Sequence, residues 1–378
     1  MATQTGSLQV SGWRWVFVLL ITGGIVASGR TLLYGIGKTT NLSDNIPWGL
    51  CFGLNVFCGI ALAAGAFTVA AIVAVADRAD WRSIGRSSII VGCVGYAVAM
   101  IGALADQAST RQAASLIVHG WTPRTMAAGA LWTSILLAAM LVGEFASNWY
   151  GALARRRWCV ALRLAYVLLV VSAAVLAIVH QYGLNRLISL AGNRFSPLWA
   201  HSQLPLLFYL SSISGALAVI LLASWRSERA FGRSLPLPVV QAVTRALTAS
   251  VFVYLLARLS DLLGSSLNRV FEATMQENLL LVLEIALFFA GMIVIKDQEY
   301  GRKQSALGPA LVIAGVLANR LNTSITAIEA SAGHHYRPTW DEVFVAYSVA
   351  AMGIAVFALC VKHLNIFPRA DSGGAATA

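Results

Sequence analysis

Apolar stretches, each about as long as a membrane-spanning helix, recur along the whole chain. A helix needs about 20 apolar residues to cross a hydrocarbon core about 30 Å thick. The runs are unbroken rather than alternating, which argues against a transmembrane β-barrel. The pattern predicts an all-α polytopic transmembrane helical bundle that forms one integral membrane domain over residues 1–378. The predicted spans are approximately 13–29, 48–76, 88–106, 126–146, 159–182, 204–223, 239–263, 278–296, 306–322 and 341–361.

The composition agrees with this fold. Of the 378 residues, 58% are hydrophobic and 11% are charged, whereas soluble domains are about 25% charged. The net charge of +11 is explained by Arg in short loops rather than by nucleic-acid binding. The five cysteines lie in or beside apolar runs without the close spacing of iron–sulfur ligands, so we expect no cluster in this chain.

The distribution of Lys and Arg predicts the orientation of the chain. We number the connections between successive predicted spans in chain order. The N-terminus, the even-numbered connections and the C-terminal tail hold 15 Lys and Arg residues, and the odd-numbered connections hold 8. Because positive charge is retained in the cytoplasm, both termini are predicted to be cytoplasmic. The odd-numbered connections then face the outside.

The odd-numbered connections are rich in Asn, Pro, Trp and His, whereas the even-numbered ones are mostly Arg, Ser and Ala. The distinctive segments are Thr40–Gly49, His180–Gly183, Ser196–Trp199 and His334–Glu342. Distinctive loops carry function more often than simple basic connectors do. An aromatic belt at the membrane boundary is the alternative explanation for Trp48, Trp199 and Trp340.

Ionisable residues inside the predicted spans are a second group of candidates, because charge at membrane depth is costly. Arg258 and Asp261 are three residues apart and share a helix face, so they could pair as a structural clamp or serve as a proton relay. Glu284 lies in an otherwise apolar run and needs a partner. Candidate partners are Arg245, Arg258 and Arg320.

The histidines predict no haem and no metal. A b-type haem needs axial ligands that face each other inside a bundle. Among the six histidines, His180 alone is predicted near membrane depth, and the adjacent pair His334 and His335 is a weak metal signal.

A series of short segments runs through nearly the whole chain: Tyr34–Gly37, Asn41–Asp44, Pro47–Gly49, Cys58–Gly65, His180–Gln181, Leu187–Ile188, Pro197–Trp199, Asn319–Asn322, Pro338–Glu342 and Ile366–Pro368. Their order and spacing resemble those of the NrfD/polysulfide-reductase superfamily. The most similar branch is HybB, the integral membrane subunit of periplasmic nickel–iron hydrogenases.

The resemblance implies a membrane subunit without haem or clusters in the bacterial inner membrane. It would exchange electrons with the quinone pool, menaquinone or ubiquinone. The implied partner is a periplasmic ferredoxin-like iron–sulfur subunit, connected to the small and large hydrogenase subunits or to another redox module. The family's charged residues in the seventh and eighth spans match Arg258, Asp261 and Glu284.

The chain departs from the family pattern where carboxylates are expected. Asn55 stands where the family usually has Asp, and Asp106 is followed by Gln107 rather than closely by Gly-Arg. Gly129–Trp132 occupies the region of a common Glu. These differences argue against proton translocation.

A quinone site needs a hydrogen-bond donor or acid at each carbonyl and an apolar slot for the tail. Asp106 is the predicted catalytic proton donor and acceptor. His180 and Asn55 are predicted hydrogen-bond partners, and Arg30 could polarise a carbonyl. For each residue the alternative is a local structural role, such as interhelical contact by Asn55.

Two other functions remain open at this level. A pure membrane anchor would assemble a complex without quinone chemistry. A secondary transporter is compatible with buried charges, but we find no internal repeat, and the prolines Pro47, Pro197, Pro205 and Pro338 lie at or near span ends.

Overall fold

The computed structural model describes residues 12–43, 46, 48–105, 156–190, 195–199, 201–264, 267–299, 306–333, 335–364 and 366–367. Within these ranges the chain is helical apart from short connections and an isolated β-bridge between Ser43 and Ile46. The predicted all-α class is confirmed.

The helices are numbered in chain order, with π for π-helical segments. The long elements are α1 (Gly12–Tyr34), π1 (Phe52–Phe57) continuing as α3 (Cys58–Ala76), α4 (Arg82–Ala105), α5 (Arg156–Leu190), α6 (Leu204–Phe231), α7 (Leu237–Gly264), α9 (Met275–Glu299), α10 (Leu307–Leu321) continuing through π2 (Asn322–Thr326) into α11 (Ala327–Ala332), and α12 (Trp340–His363). The short ones are α2 (Ile36–Thr39), α8 (Leu267–Glu272) and a 3₁₀ turn at Ala79–Trp81.

The described part of the chain has nine helical stretches long and apolar enough to cross a membrane. They coincide with nine of the predicted spans, and the remaining one, 126–146, lies outside the described residues. Observed helices extend beyond the predicted bounds, as in α5, because hydropathy marks the apolar middle of a helix and polar residues are tolerated at the interface. The chain is a multi-pass membrane protein.

Helix α3 lies at the centre and packs against α4, α5 and α6. Glycines allow α3 to approach α4 and α6 closely. A Cβ on Gly59 would come 2.5 Å from the Gly95 carbonyl oxygen in α4, and one on Gly65 would overlap the Ser212 backbone in α6. Small residues are typical of membrane helix contacts, because packing rather than hydrophobic burial drives the association.

Helix α1 lies at the periphery and packs chiefly against α12. The contact is made where Gly23 and Gly24 meet Phe344 and Ser348. Most of the remaining apolar side chains of α1 are exposed, which is expected of a helix that faces lipid.

The described parts of the first, fifth and ninth connections meet at one end of the bundle, which we call the loop end. Hydrogen bonds join them: Trp48 Nε1 to the Ser324 carbonyl at 3.0 Å, Ser196 N to the Ala327 carbonyl at 2.8 Å, and Thr339 Oγ1 to the Thr39 carbonyl at 2.6 Å. The segments that are distinctive in sequence are therefore neighbours in space.

The two π-helical segments also pack against each other near the loop end. A Cβ on Gly53 in π1 would come 2.5 Å from Ser324 Oγ in π2. π-Helical turns are frequent at functional sites. Asn55 belongs to π1 and Asn322 to π2, so both segments bring an amide side chain into the core.

Candidate functional site

A buried polar network surrounds Glu284, at the contact of α9 with α7 and α10. Tyr254 Oη donates to Glu284 Oε1 at 2.5 Å, and Asn319 Nδ2 donates to the same oxygen at 3.0 Å. Asn322 Nδ2 donates to Oε2 at 3.4 Å. Arg258 Nε lies 3.8 Å from Oε1. Glu284 is fully buried, and these donors replace the water that it loses.

The network extends from Arg258 towards the loop end. Arg258 Nη1 lies 3.5 Å from Asp261 Oδ2, one helical turn further along α7. His201, just before α6, places Nδ1 3.3 Å from Asp261 Oδ1. The Arg258 guanidinium also lies 5.4 Å from the centroid of the Trp199 ring. These side chains are all buried.

On the other side of Glu284 the network continues to Arg320. Arg320 Nη1 donates to Asn319 Oδ1 at 2.5 Å. Its Nη2 donates to the Phe208 carbonyl at 2.7 Å and to Ser212 Oγ at 3.0 Å. Ser212 Oγ in turn accepts from Gln181 Nε2 at 2.6 Å. A chain of polar contacts thus runs from His201 through the bundle core to α5.

Two guanidinium groups and two carboxyl groups balance each other in this network. Burying such charges costs several kcal/mol per ion, and the cost is recovered only when the ions are paired and hydrogen-bonded. Burial lowers the pKa of His201, which lies outside the spans, to about 3, and the charges of Arg258 and Arg269 act in the same direction. His201 is therefore neutral at pH 7.

The structure thus brings together all four predicted relay residues, Arg258, Asp261, Glu284 and Arg320. The predicted pairing of Arg258 with Asp261 is present, and Arg258 is the candidate arginine that forms an ion pair with Glu284. Arg245 is exposed and donates to the Gln241 carbonyl at 3.4 Å. It lies more than three turns from Arg258 along α7.

Sequence reasoning missed several members of the network, chiefly Tyr254, Asn319, Asn322 and His201. Tyr254 lies four residues before Arg258, and Asp261 lies three residues after it, so one helix face carries all three. That spacing was a usable signal. Asn319 and Asn322 belong to the segment Asn319–Asn322 that carries the family resemblance, but that resemblance assigns them no role. Nothing in the sequence indicated that the loop residue His201 would meet α7.

The residues predicted to bind quinone contact α4 and the first half of α12. Asn55 is fully buried, and its Nδ2 donates to the Ala346 carbonyl at 3.2 Å. Arg30 Nη1 lies 3.4 Å from Asp341 Oδ1 at the start of α12. Tyr96 Oη in α4 lies 2.8 Å from His180 Nδ1 in α5. Asp106 lies outside the described residues.

Asn55 and His180 contact α4 at different places. A Cβ on Gly102 in α4 would come 2.5 Å from the Asn55 Cβ, and Gly102 lies six residues from Tyr96, or about 9 Å along the helix. Asn55 and His180 therefore lie on two sides of α4.

The segment Pro338–Glu342 has a structural role at the loop end. Thr339 caps α12 in a capping box with Glu342. The buried Glu342 also accepts from Asn41 N at 3.2 Å and from Tyr336 Oη at 2.5 Å. These bonds fasten the connection after α1 to the start of α12, so the conspicuous composition of this segment serves folding.

A small, partly open crevice lies between α3, α6 and α10. Most of its lining is apolar, and Cys58 and Ser212 are among the lining residues. Ser212 also contacts Arg320, so the crevice borders the buried network.

Comparison with known proteins gives two relatives over nearly the whole chain. A protein of Nitratidesulfovibrio vulgaris, whose name states no function, is 24% identical over 92% of this chain and 93% of its own length. The "Probable Ni/Fe-hydrogenase 2 b-type cytochrome subunit" of Escherichia coli is 21% identical over 90% of this chain and 88% of its own length. No protein-family model matches the chain.

The E. coli relative confirms the predicted HybB-like resemblance, as a distant relationship. It also corrects one prediction. That relative is named a b-type cytochrome subunit, which implies haem, so the expectation of a haem-free chain is wrong. The error arose because the sequence argument required two histidines at membrane depth.

Among the described residues, His180 is the candidate haem ligand. In the tautomer in which its Nδ1 donates to Tyr96 Oη, Nε2 carries the lone pair that could bind iron. Ligating histidines are commonly held in this way through the second ring nitrogen.

Proposed function

We propose that this chain is the quinone-reactive integral membrane subunit of a periplasm-facing respiratory oxidoreductase, most specifically of a nickel–iron hydrogenase. The observation that carries this proposal is the similarity to the E. coli hydrogenase subunit over about nine-tenths of both chains. The paired buried charges and the clustered connections at the loop end support it, because a membrane anchor needs neither.

The loop end is the proposed docking surface for the partner subunits. The excess of Lys and Arg on the opposite side supports cytoplasmic termini and a periplasmic loop end in the bacterial inner membrane. A ferredoxin-like iron–sulfur subunit would bind there and connect to the hydrogenase small and large subunits. Electrons would pass between this partner and quinone.

The quinone headgroup is proposed to bind near the loop end of α4, against Asn55 and on the side of Arg30. His180 lies on the other side of α4 and would contact a quinone only at a separate position. The support comes from Asn55, whose Oδ1 is buried and has no hydrogen-bond partner among the described residues. This oxygen could accept from a quinol hydroxyl. Asp106 directly follows the last residue of α4, four positions after the glycine that packs on Asn55.

Reduction of the quinone consumes two electrons and two protons and yields the quinol. Asp106 is the proposed acid for this step and the base for the reverse step. The Arg30 guanidinium and the Asn55 amide would stabilise negative charge on the quinone oxygens. The crevice beside Cys58 offers an apolar surface for part of the isoprenoid tail.

The network of Arg258, Asp261, Glu284 and Arg320 is proposed to relay protons. Its support is the series of polar contacts, each 3.8 Å or shorter, between His201 and Ser212. Glu284 and Asp261 could each hold a proton, while the arginines keep the alternative charged forms stable in a buried site.

The name of the E. coli relative gives His180 a second candidate role, as a haem ligand. A b-type haem would supply one-electron transfer, and His180 Nε2 would hold it. The absorbance of the reduced, purified subunit separates the roles. A b-type spectrum that disappears in His180→Ala assigns His180 to haem, and a spectrum without haem bands leaves it to the quinone.

Purification in mild detergent tests the proposed function. We expect the tagged chain to bring down an iron–sulfur protein, a hydrogenase pair and bound quinone, identified by mass spectrometry and solvent extraction. Recovery of the same partners without quinone, together with hydrogenase activity that never reaches quinone, would favour a pure anchor. A chain that purifies without redox partners or quinone would contradict the proposal and favour a transporter.

A further inference from the structure

Buried polar atoms without hydrogen-bond partners are concentrated between the loop end and the Glu284 network. Within the described part of the chain, they include both ring nitrogens of His201, Nε1 of Trp199, and Nε and Nη2 of Arg258. An unsatisfied buried polar atom is costly, because it has lost its hydrogen bonds to water without replacing them. Such a concentration indicates that a ligand outside the polypeptide satisfies them.

The distances between the polar side chains of this cluster are also long enough for a water molecule to bridge them. His201 Nδ1 lies 3.3 Å from Asp261 Oδ1 without hydrogen-bonding alignment, and Arg258 Nη1 lies 3.5 Å from Asp261 Oδ2. Arg258 Nε is 3.8 Å from Glu284 Oε1. Aligned N–H···O bonds are about 2.9–3.0 Å long, and polar contacts near or beyond 3.5 Å are where a bridging water is expected.

The chemistry of the cluster selects the ligand. An anion would be repelled by the Asp261 carboxylate, and a cation would be repelled by the Arg258 guanidinium. Indole and guanidinium groups need an acceptor, while one nitrogen of a neutral imidazole needs a donor. Water both donates and accepts, and a buried water typically makes about three hydrogen bonds.

We propose that His201, Trp199, Arg258 and Asp261 enclose internal water, which connects the loop end to Glu284. The charged groups that act on His201 are Asp261, Arg258 and Arg269. A neutral His201 could take a proton on one nitrogen and release one from the other. Proton transfer through this water rests on the proposed function, whereas the presence of the water does not.

Radiolytic hydroxyl labelling of the purified full-length chain in lipid nanodiscs tests the proposal. Trp225 is the matched control, because its indole Nε1 is also buried without a partner but its side chain lies in an apolar cluster. Trp225 is 8% exposed and Trp199 is 0% exposed, so bulk radicals favour Trp225. Trp340, which is 78% exposed, sets the rate for a surface indole.

We expect Trp199 to be oxidised several-fold faster than Trp225, and to acquire ¹⁸O more slowly than Trp340 after a change of solvent to H₂¹⁸O. His201→Phe, which removes both nitrogens, should lower the labelling of Trp199 to the level of Trp225. His335→Phe, at an exposed histidine of the same end, should not change it.

If Trp199 is labelled no faster than Trp225 in the unaltered chain, the proposal is overturned. This comparison does not depend on whether the His201→Phe variant folds. The measurement uses neither hydrogen nor quinone nor a partner. Labelled Trp199 in a chain without quinone-linked turnover would therefore refute only the proposed function. Full turnover with unlabelled Trp199 would refute only the internal water.

Discussion

Tyr254 on α7 and Glu284 on α9 are joined by a 2.5 Å hydrogen bond from the tyrosine Oη to the carboxyl Oε1, with both side chains fully buried. The Tyr254 ring also packs on Phe288 at a centroid distance of 4.3 Å. The same tyrosine therefore fixes the position of the carboxyl group and belongs to the apolar contact of the two helices.

Replacing Tyr254 with Phe is expected to destabilise the protein by about 1–3 kcal/mol, because Glu284 loses its shortest hydrogen bond while the packing is kept. Thermal unfolding in detergent measures the loss. Tyr347→Phe is the control at an exposed tyrosine of α12 and should change little. If Tyr254→Phe lowers the thermal stability no more than Tyr347→Phe does, the hydrogen bond to Glu284 contributes nothing to stability.

Single replacement of Arg258 or Asp261 with Leu should cost about 3–5 kcal/mol each, because each leaves a buried charge without its partner. The double replacement should cost clearly less than the sum of the two. The exposed pair Arg163 and Asp77, 2.6 Å apart, is the control. Its single Ala variants should cost about 1 kcal/mol or less. Additive losses at Arg258 and Asp261 would contradict their coupling.

Neutral, buried His201 predicts loss of stability in acid. Its pKa is lowered to about 3 in the folded chain, below the usual value of about 6.5. The unfolded chain therefore binds a proton first as the pH falls. The stability that comes from keeping His201 neutral is fully present above pH 6.5. As the pH falls from 6.5 to 3, the free energy of unfolding decreases by about 1.4 kcal/mol per pH unit.

The matched variants for this prediction are His201→Gln and His335→Gln, compared by unfolding midpoints across that pH window. His201→Gln should flatten the pH dependence, and His335→Gln should retain that of the unaltered chain. Identical slopes in all three proteins would show that His201 does not carry the effect.

Thr339→Ala should lower stability by about 1–2 kcal/mol, because it removes the N-cap of α12 and the bond to the Thr39 carbonyl. Thr22→Ala, at an exposed position in α1 where the hydroxyl donates to the Val18 and Leu19 carbonyls of its own helix, should be nearly neutral. A loss at Thr22 as large as that at Thr339 would mean that the loop-end contacts add nothing.

The sequence predicted the helices well because membrane insertion imposes a strong and local rule. About 20 apolar residues define a span regardless of its neighbours, and α7 or α12 could be found from hydropathy alone. The expectation that Arg258 pairs with Asp261 succeeded for the same reason, since i,i+3 spacing fixes proximity within one helix.

The rest of the site depended on contacts between distant segments. His201 meets Asp261 across 60 positions, and Asn319 meets Glu284 across 35. No local pattern encodes such pairs. The π-helical turns that carry Asn55 and Asn322 were missed as well, because an extra residue in a helical turn leaves the hydropathy of the span unchanged. The absence of haem was the prediction that proved wrong, and it rested on counting histidines by expected depth.

Hydrogen-dependent quinone reduction by native membranes tests the central proposal most directly. Membranes that contain the complete complex are compared with membranes that lack this chain or carry Asp106→Asn, with hydrogen-dependent reduction of a soluble artificial dye as the control for the catalytic partner. The account predicts that quinone reduction disappears without the chain and falls at least 100-fold in Asp106→Asn, while dye reduction persists. Unchanged quinone reduction in membranes without the chain would contradict it.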